Sequence, residues 1–304
     1  MKIEKCRYII GCLMLALGLQ SCQEHDDGWG DTQYPILFGS SDTRALTDFD
    51  DLKDGFRVHA YYERNSVGAT IDKKATCDEE ENVWGFEGVE YWLPGAQYWF
   101  QAFYPSEPPQ GAYTLTISND KKSYTIEAFD IDQQVDVTVA LKECAVSENK
   151  FCPDDGSVID LSFDHLLACI VVELKTDLTG VTITSVKLSD VKDNGQFNGA
   201  SATWSSSNET NITLASGAQL DPNADYADVT HEGILVIPAN MNNVTLTIEA
   251  SHKTYSNVPL PDDTWVKGKK YTYRAEIKQS DIVFNEPTVD EWDSDNATGS
   301  VIIK

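Results

Sequence analysis

Short stretches in which apolar and polar residues alternate recur along most of the chain. Residues 56–63 read FRVHAYYE and residues 271–278 read YTYRAEIK, and in both every second side chain is apolar. Such alternation predicts half-buried β-strands. After the apolar segment 9–19, no stretch keeps the 3.6-residue period of an amphipathic helix. Many short strands separated by turn residues predict an all-β fold built from β-sandwiches.

The longest apolar run after residue 21 lies within residues 158–175, VIDLSFDHLLACIVVELK. Every residue from Leu166 to Val172 is apolar, but a helix that crosses a bilayer needs about 20 such residues. The β-branched residues in its second half favour a strand covered on both faces. We interpret it as the first strand of a second domain. His165 is interpreted as a hydrogen-bonded core residue rather than a catalytic or metal-binding one.

Shifts in composition predict four segments. Residues 1–21 form a signal peptide, and residues 22–33 form a polar tether. Residues 34–150 are expected to form an N-terminal β-sandwich domain, and residues 151–304 a C-terminal one. The boundary is placed in the polar stretch SENKFCPDDGS at 147–157.

The charge of the chain excludes one class of partner. The formal net charge is −26; because residues 1–21 contribute +2, the remainder carries −28. Nucleic acid is therefore excluded as a partner, because its phosphates would be repelled. A content of 41% hydrophobic and 10% aromatic residues is typical of a folded protein, and the acidic balance suits an extracytoplasmic space.

The N-terminus resembles a bacterial lipoprotein signal. A net-positive start precedes the apolar residues 9–19, which lead into Leu19-Gln20-Ser21-Cys22 and then a polar run. In such signals the cysteine receives diacylglycerol and an N-acyl chain, and several acyl chains on one residue anchor a protein stably. Cys22 is therefore the expected lipidation site, with the outer membrane as partner. The alternative is an ordinary secretory signal with an incidental cysteine.

Four further cysteines follow the signal: Cys77, Cys144, Cys152 and Cys169. An oxidising compartment permits two disulfides among them, and the sequence leaves all three pairings open. Their spacing fits no zinc-binding pattern. Cys169, inside the apolar run, is expected to be buried.

Aromatic residues concentrate between residues 84 and 104, and Trp92 and Trp99 belong to this block. Aromatic faces stack on sugar rings, so these two residues are candidate glycan contacts. Filling of a sandwich core is the simpler explanation of the same block.

Residues for catalysis do not converge in the sequence. The five histidines are scattered singly, there is no Gly-rich phosphate loop, and the pair Asp130/Asp132 lies outside any calcium-loop pattern. We therefore predict no enzymatic activity, no catalytic residues, no cofactor and no metal.

Longer motifs resemble one known family. They are PILFGSSDTRA (35–45), WFQAFYP (99–105), LSFDHLLACIVVEL (161–174), ILVIPAN (234–240) and WVKGKKYTYRAEI (265–277), followed by Trp292. Together they resemble the fimbrillin-like (FimA/Mfa-like) subunits of the type V pili of Bacteroidales. The resemblance implies two tandem transthyretin-like β-sandwich domains, no catalysis, and export to the outer membrane as a lipoprotein that supports adhesion from a surface fimbria.

The resemblance also implies how subunits assemble. A trypsin-like protease cuts after an arginine, here Arg44, so that the mature chain starts at Ala45 and has lost the strand at 36–38. The groove left behind accepts a strand from the next subunit by β-augmentation. The expected donor strand is Val301, Ile302 and Ile303, and the expected partners are other pilus subunits.

A different class of function remains open. The chain is then a permanently lipidated surface protein that is never cut. It anchors a pilus, or binds host or microbial glycans or proteins, with Trp92 and Trp99 as its candidate surface.

Overall fold

The computed structural model describes residues 33–39, 52, 54–78, 83–146, 158–231, 233–261 and 264–292. These residues form 23 β-strands, and the one helix among the described residues is a 3-10 turn at Ile131–Gln133. The prediction of an all-β fold is confirmed.

The chain divides into two compact units that do not follow each other along the sequence. The first comprises Met1–Asp42, Asp48–Ser106 and Ala140–Ser162, and the second comprises Thr43–Thr47, Glu107–Val139 and Phe163–Lys304. This differs from the predicted domains 34–150 and 151–304. The reason is pairing at long range: Tyr124–Phe129 lies antiparallel to Gly195–Asn198, which brings residues 107–139 into the second unit.

The first unit is built on one twisted sheet. Its strands are β1 (Leu37–Gly39), β2 (Phe56–Arg64), β3 (Val67–Asp78), β4 (Val83–Phe86), β5 (Gln97–Tyr104), most of β8 (Thr138–Ala145) and β9 (Ile159–Asp160). The order across the sheet is β8-β5-β2-β3-β4-β1-β9. The shortest strands, β1 and β9, therefore lie together at one end of it.

One face of this sheet carries an aromatic core. Alternate residues of β2 and β5 point into it, as the alternating sequence pattern predicts. The fully buried members include Phe38, Phe56, Trp84, Tyr98 and Phe100. The indole N–H of Trp84 donates to the Leu52 carbonyl at 3.0 Å, so this polar atom is satisfied inside the core.

The second unit contains three sheets. Its strands are β6 (Thr114–Ile117), β7 (Tyr124–Phe129), β10 (Asp164–His165), β11 (Ala168–Thr176), β12 (Val181–Asp193), β13 (Gly195–Asn198), β14 (Thr203–Ser205), β15 (Asn208–Ala215), β16 (Gln219–Leu220), β17 (Ala227–Asp228), β18 (Ile234–Val236), β19 (Thr245–Ala250), β20 (Lys253–Pro259), β21 (Lys269–Ile277), β22 (Ile282–Phe284) and β23 (Thr288–Glu291). The sheet orders are β17-β11-β21-β22, β15-β12-β19-β20 and β14-β13-β7-β6. In addition, β18 pairs with β11, β23 with β21, and β16 with β12.

The apolar run at 158–175 is divided among three strands rather than forming one. Its first residues form β9, which belongs to the first unit, and β10 and β11 belong to the second. The first five residues of β11 are buried, and β11 pairs in parallel with β21 over its whole length from Cys169. The expected strand covered on both faces is therefore confirmed, with a later start at Ala168.

Candidate functional site: the seat of the first strand

The first strand lies inside its sheet although it has only three residues. Along one side, Phe38 pairs antiparallel with Trp84 of β4. Along the other, Phe38 and Gly39 pair in parallel with Ile159 and Asp160 of β9. Backbone bonds continue past both ends, from Ile36 N–H to the Glu90 carbonyl at 2.8 Å and from Leu161 N–H to the Gly39 carbonyl at 3.0 Å.

The side chain of Phe38 fills a pocket lined with aromatic rings. Its exposed fraction is 0%, and its ring meets Phe86, Phe100 and Phe56 edge-on at centroid distances of 5.2, 5.7 and 6.0 Å. Edge-to-face pairs of this kind each add about 0.5–1.5 kcal/mol beyond the burial of apolar area. Ile36, two residues earlier, is 1% exposed and lies on the same face. We call β4, β9 and this pocket the strand seat.

The strand seat has two properties that a removable strand requires. Taking β1 away would leave unpaired N–H and C=O groups on β4 and β9 together with an apolar groove where Ile36 and Phe38 lie. Both are costly in water, because buried backbone groups need partners and an open edge invites pairing with another chain. The emptied groove would therefore bind another strand whose apolar side chains can take the places of Ile36 and Phe38.

The predicted processing and assembly residues lie outside the described part of the chain. This applies to Cys22, Arg44, Ala45 and the strand Val301–Ile303. They remain predictions from the sequence.

The two candidate glycan contacts have different environments. Trp92 is 5% exposed, and its ring meets Tyr98 at 4.9 Å and Phe100 at 5.9 Å, both T-shaped. Little of the Trp92 ring is therefore open for a sugar to stack on, and a glycan contact there stays a prediction from the sequence. Trp99 is half-buried on the opposite face of β5, where its ring packs beside Tyr61 at 5.6 Å.

Burial also changes the acidity of a residue next to the strand seat. Tyr98 stacks on Phe100 at 5.5 Å, and burial raises the pKa of its phenol to about 12. The Leu93 N–H, which donates to the phenol oxygen at 2.8 Å, acts in the opposite direction. The hydroxyl is therefore neutral at physiological pH.

In the second unit a buried histidine–aspartate pair lies where the described chain ends. His165 Nδ1 is 2.7 Å from an Asp136 carboxylate oxygen, and the side chains are 1% and 7% exposed. The ring of Trp292 stacks on the His165 ring at 3.6 Å with an interplanar angle of 10°. His165 is thus a core residue. Sequence reasoning missed that Asp136 and Trp292 are its partners, although His165 and Trp292 both belong to the motifs of the resemblance.

Cys144 and Cys169 are among the four cysteines considered above, and the structure describes the environment of each. Cys144, near the end of β8, is disulfide-bonded. Cys169 is buried, as expected.

Metal-binding clusters and membrane-spanning helices are both absent from the described residues. Within them, no group of three or more His, Cys, Asp or Glu side chains is arranged to hold a metal ion. No helix of the described chain is long and apolar enough to cross a bilayer.

Comparison with known proteins identifies the family. The sequence profile of the fimbrillin-like family matches residues 43–292. The chain belongs to the fimbrillin-like family. The resemblance found in the sequence motifs is thereby confirmed, and the matched span leaves both β1 and the residues after Trp292 outside it.

Solved structures share the fold of this fimbrillin-like chain. A candidate cell adhesion protein of Bacteroides uniformis matches with a TM-score of 0.53 and 18% identity, over 86% of this chain and 99% of that one. Another from Bacteroides ovatus matches with a TM-score of 0.55 and 15% identity, over 86% and 98% of the two chains. At these identities the likeness shows the fold alone. Comparison with curated protein sequences finds no match.

Proposed function

We propose that this fimbrillin-like chain is a structural subunit of a surface fimbria, assembled by exchange of β-strands. It reaches the outer membrane as a lipoprotein through Cys22 and is cut between Arg44 and Ala45. The cut removes β1, and the C-terminal strand Val301–Ile303 of another subunit takes its place. The observation that carries this proposal is the strand seat: a three-residue strand, hydrogen-bonded on both sides, whose Phe38 is fully buried.

The side-chain pattern of the expected donor suits the strand seat. The buried side chains come from Ile36, just before β1, and from Phe38 within it, while Leu37 between them is half-buried. A donor in the same register presents Val301 and Ile303 to the groove, because alternate residues of a strand share a face. Main-chain bonds then supply affinity, and the two apolar side chains set the register.

A second candidate function is an uncut surface lipoprotein that anchors a pilus or binds glycans. The observation that favours it is the half-buried Trp99 on the face opposite the core. This form would keep β1 in place permanently.

The test replaces the cleavage site and removes the donor strand in separate variants. Arg44→Ala should yield unprocessed monomer, and deletion of residues 297–304 should yield processed subunits that do not assemble. Arg64→Ala is the matched control, since Arg64 is an exposed arginine at the end of β2, and it should assemble normally. SDS-resistant ladders on gels of surface material report assembly. Ladders that persist in both test variants would overturn strand exchange in favour of the uncut lipoprotein.

A further inference from the structure

Two aromatic side chains lie beside each other on the face of the first sheet that is opposite the aromatic core. Tyr61 of β2 and Trp99 of β5 are directly paired across the strands, and their ring centroids are 5.6 Å apart with an interplanar angle of 30°. Their chain neighbours Ala60 and Phe100 are also paired and are buried. The pair therefore lies on the face opposite the core, and both rings are half-buried there.

A glycine in the neighbouring strand makes room for one of these rings. A Cβ atom at Gly68 of β3 would lie 2.2 Å from the Tyr61 hydroxyl oxygen and 2.6 Å from two of its ring carbons. The Tyr61 ring thus occupies the space that a side chain at residue 68 would take. Glycine weakens a strand interior and often marks a close approach. Here it allows the ring to lie over β3, next to Trp99.

Polar groups surround the two rings. The Tyr61 hydroxyl donates to the Glu63 carboxylate at 3.3 Å, and desolvation followed by the Glu63 charge raises the pKa of this phenol. Gln97, paired across the strands with Glu63, donates to the Glu143 carboxylate at 3.1 Å. The rim therefore offers three kinds of group: carboxylate oxygens that accept hydrogen bonds, an amide that both donates and accepts them, and a protonated hydroxyl.

We propose that Tyr61 and Trp99 form a binding platform for a neutral saccharide. The C–H-bearing face of a sugar ring packs on an aromatic ring, whose π-face is negative and attracts weakly positive hydrogens. The hydroxyl groups of the sugar then reach the rim, where Glu63, Gln97 and Glu143 bind them.

Charge selects among the possible occupants of the platform. The rim carries the carboxylates of Glu63 and Glu143, and the whole chain has a formal charge of −26. Sialylated or sulfated glycans are disfavoured by this field, whereas an uncharged sugar is not. The inference rests on the second candidate function, glycan binding, and not on strand exchange, since β2, β3 and β5 follow the predicted cleavage site and remain in a cut and an uncut subunit.

The platform is tested on an array that carries neutral oligosaccharides alongside their sialylated counterparts. Purified full chain should bind neutral glycans, and Tyr61→Ala and Trp99→Ala should each weaken that binding by about tenfold or more, as for a central aromatic anchor. Gly68→Ala should weaken it too, because the added methyl displaces the Tyr61 ring. Tyr91→Ala is the matched control: Tyr91 is 42% exposed but lies outside the platform, so binding should not change.

Folding of each variant is checked by its near-ultraviolet circular dichroism. The proposal is overturned if the native chain binds no neutral glycan on the array. It is equally overturned if folded Tyr61→Ala and Trp99→Ala bind as well as the native chain, or if only sialylated glycans bind. Loss of strand exchange in the ladder assay would leave the expected array result unchanged, so the two proposals fail separately.

Discussion

The strands nearest the two ends of the described chain are held in opposite ways. β1 is interior to its sheet, paired on both sides, with Phe38 fully buried. β23 lies at the edge of its sheet and pairs with β21, and all four of its residues are exposed. Besides this pairing, the residue that follows β23 is packed in the core: Trp292 is 6% exposed and stacks on His165.

This difference shows which end is suited to be replaced and which to be released. Removing β1 exposes a groove and unpaired backbone, so the site must be filled again. Releasing β23 exposes little new apolar surface, because all four of its residues are already exposed. A subunit that receives a strand near its beginning and donates one from its end needs this asymmetry.

The largest expected effect is at the strand seat. Phe38→Ala should lower the free energy of unfolding by about 3–5 kcal/mol, because it empties an aromatic pocket inside the core. The matched change on the last strand, Val289→Ala, removes a side chain that is 47% exposed and should cost no more than about 0.5 kcal/mol. Urea unfolding of both variants checks this. Similar losses of unfolding free energy in Phe38→Ala and Val289→Ala would contradict the difference between the first and the last strand.

The next largest effect concerns His165, on which the ring of Trp292 stacks just after the last strand. His165→Ala should cost about 3 kcal/mol, because it leaves the buried Asp136 side chain without the partner 2.7 Å away and removes the ring on which Trp292 stacks. The control is His252→Ala, at an exposed histidine that bonds to the Tyr255 hydroxyl, with a cost of at most about 1 kcal/mol. Thermal unfolding separates the two. Equal stability of both variants would contradict this stabilising role of His165.

Hydrogen exchange in the unaltered protein compares the strands without mutation. Amides of β1 should exchange at least about tenfold more slowly than those of β23, since an interior strand opens with the core and an exposed edge strand opens locally. Mass spectrometry of peptides that cover residues 36–39 and 288–291 measures both. Faster exchange in β1 would mean that the strand seat is already open in the uncut chain.

The smallest effect is a pH dependence from the residue beside the strand seat. Burial raises the pKa of Tyr98 in the folded state to about 12, above its ordinary value of 10.0. The unfolded chain therefore loses this proton first, and the stabilisation, complete below about pH 10, falls as pH rises towards 12. The melting temperature should drop over this range by a few degrees less in Tyr98→Phe than in the native protein. Identical slopes would contradict the assigned cause.

The sequence predicted what depends on local pattern. Alternation located β2 and β21, and the apolar triplet ending at Val172 identified the buried strand β11. The motifs identified the family, which the profile match confirms.

Two features of the fold could not be predicted from the sequence, because they depend on pairing between distant segments. No local signal shows that β7 pairs with β13, which moves residues 107–139 into the second unit, or that β9 pairs with β1. The aromatic block was ambiguous for the same reason. Trp92 precedes β5 and is buried by its contacts with Tyr98 and Phe100, whereas the alternation of side chains along β5 places Trp99 on the face opposite the core.

The central claim is that β1 is removed and replaced by another subunit's strand. The intact mass of subunits recovered from sheared surface fimbriae tests this most directly. We predict a chain that begins at Ala45, carries no lipid and lacks β1. Polymerised subunits that begin at an acylated Cys22 and retain β1 would contradict the account.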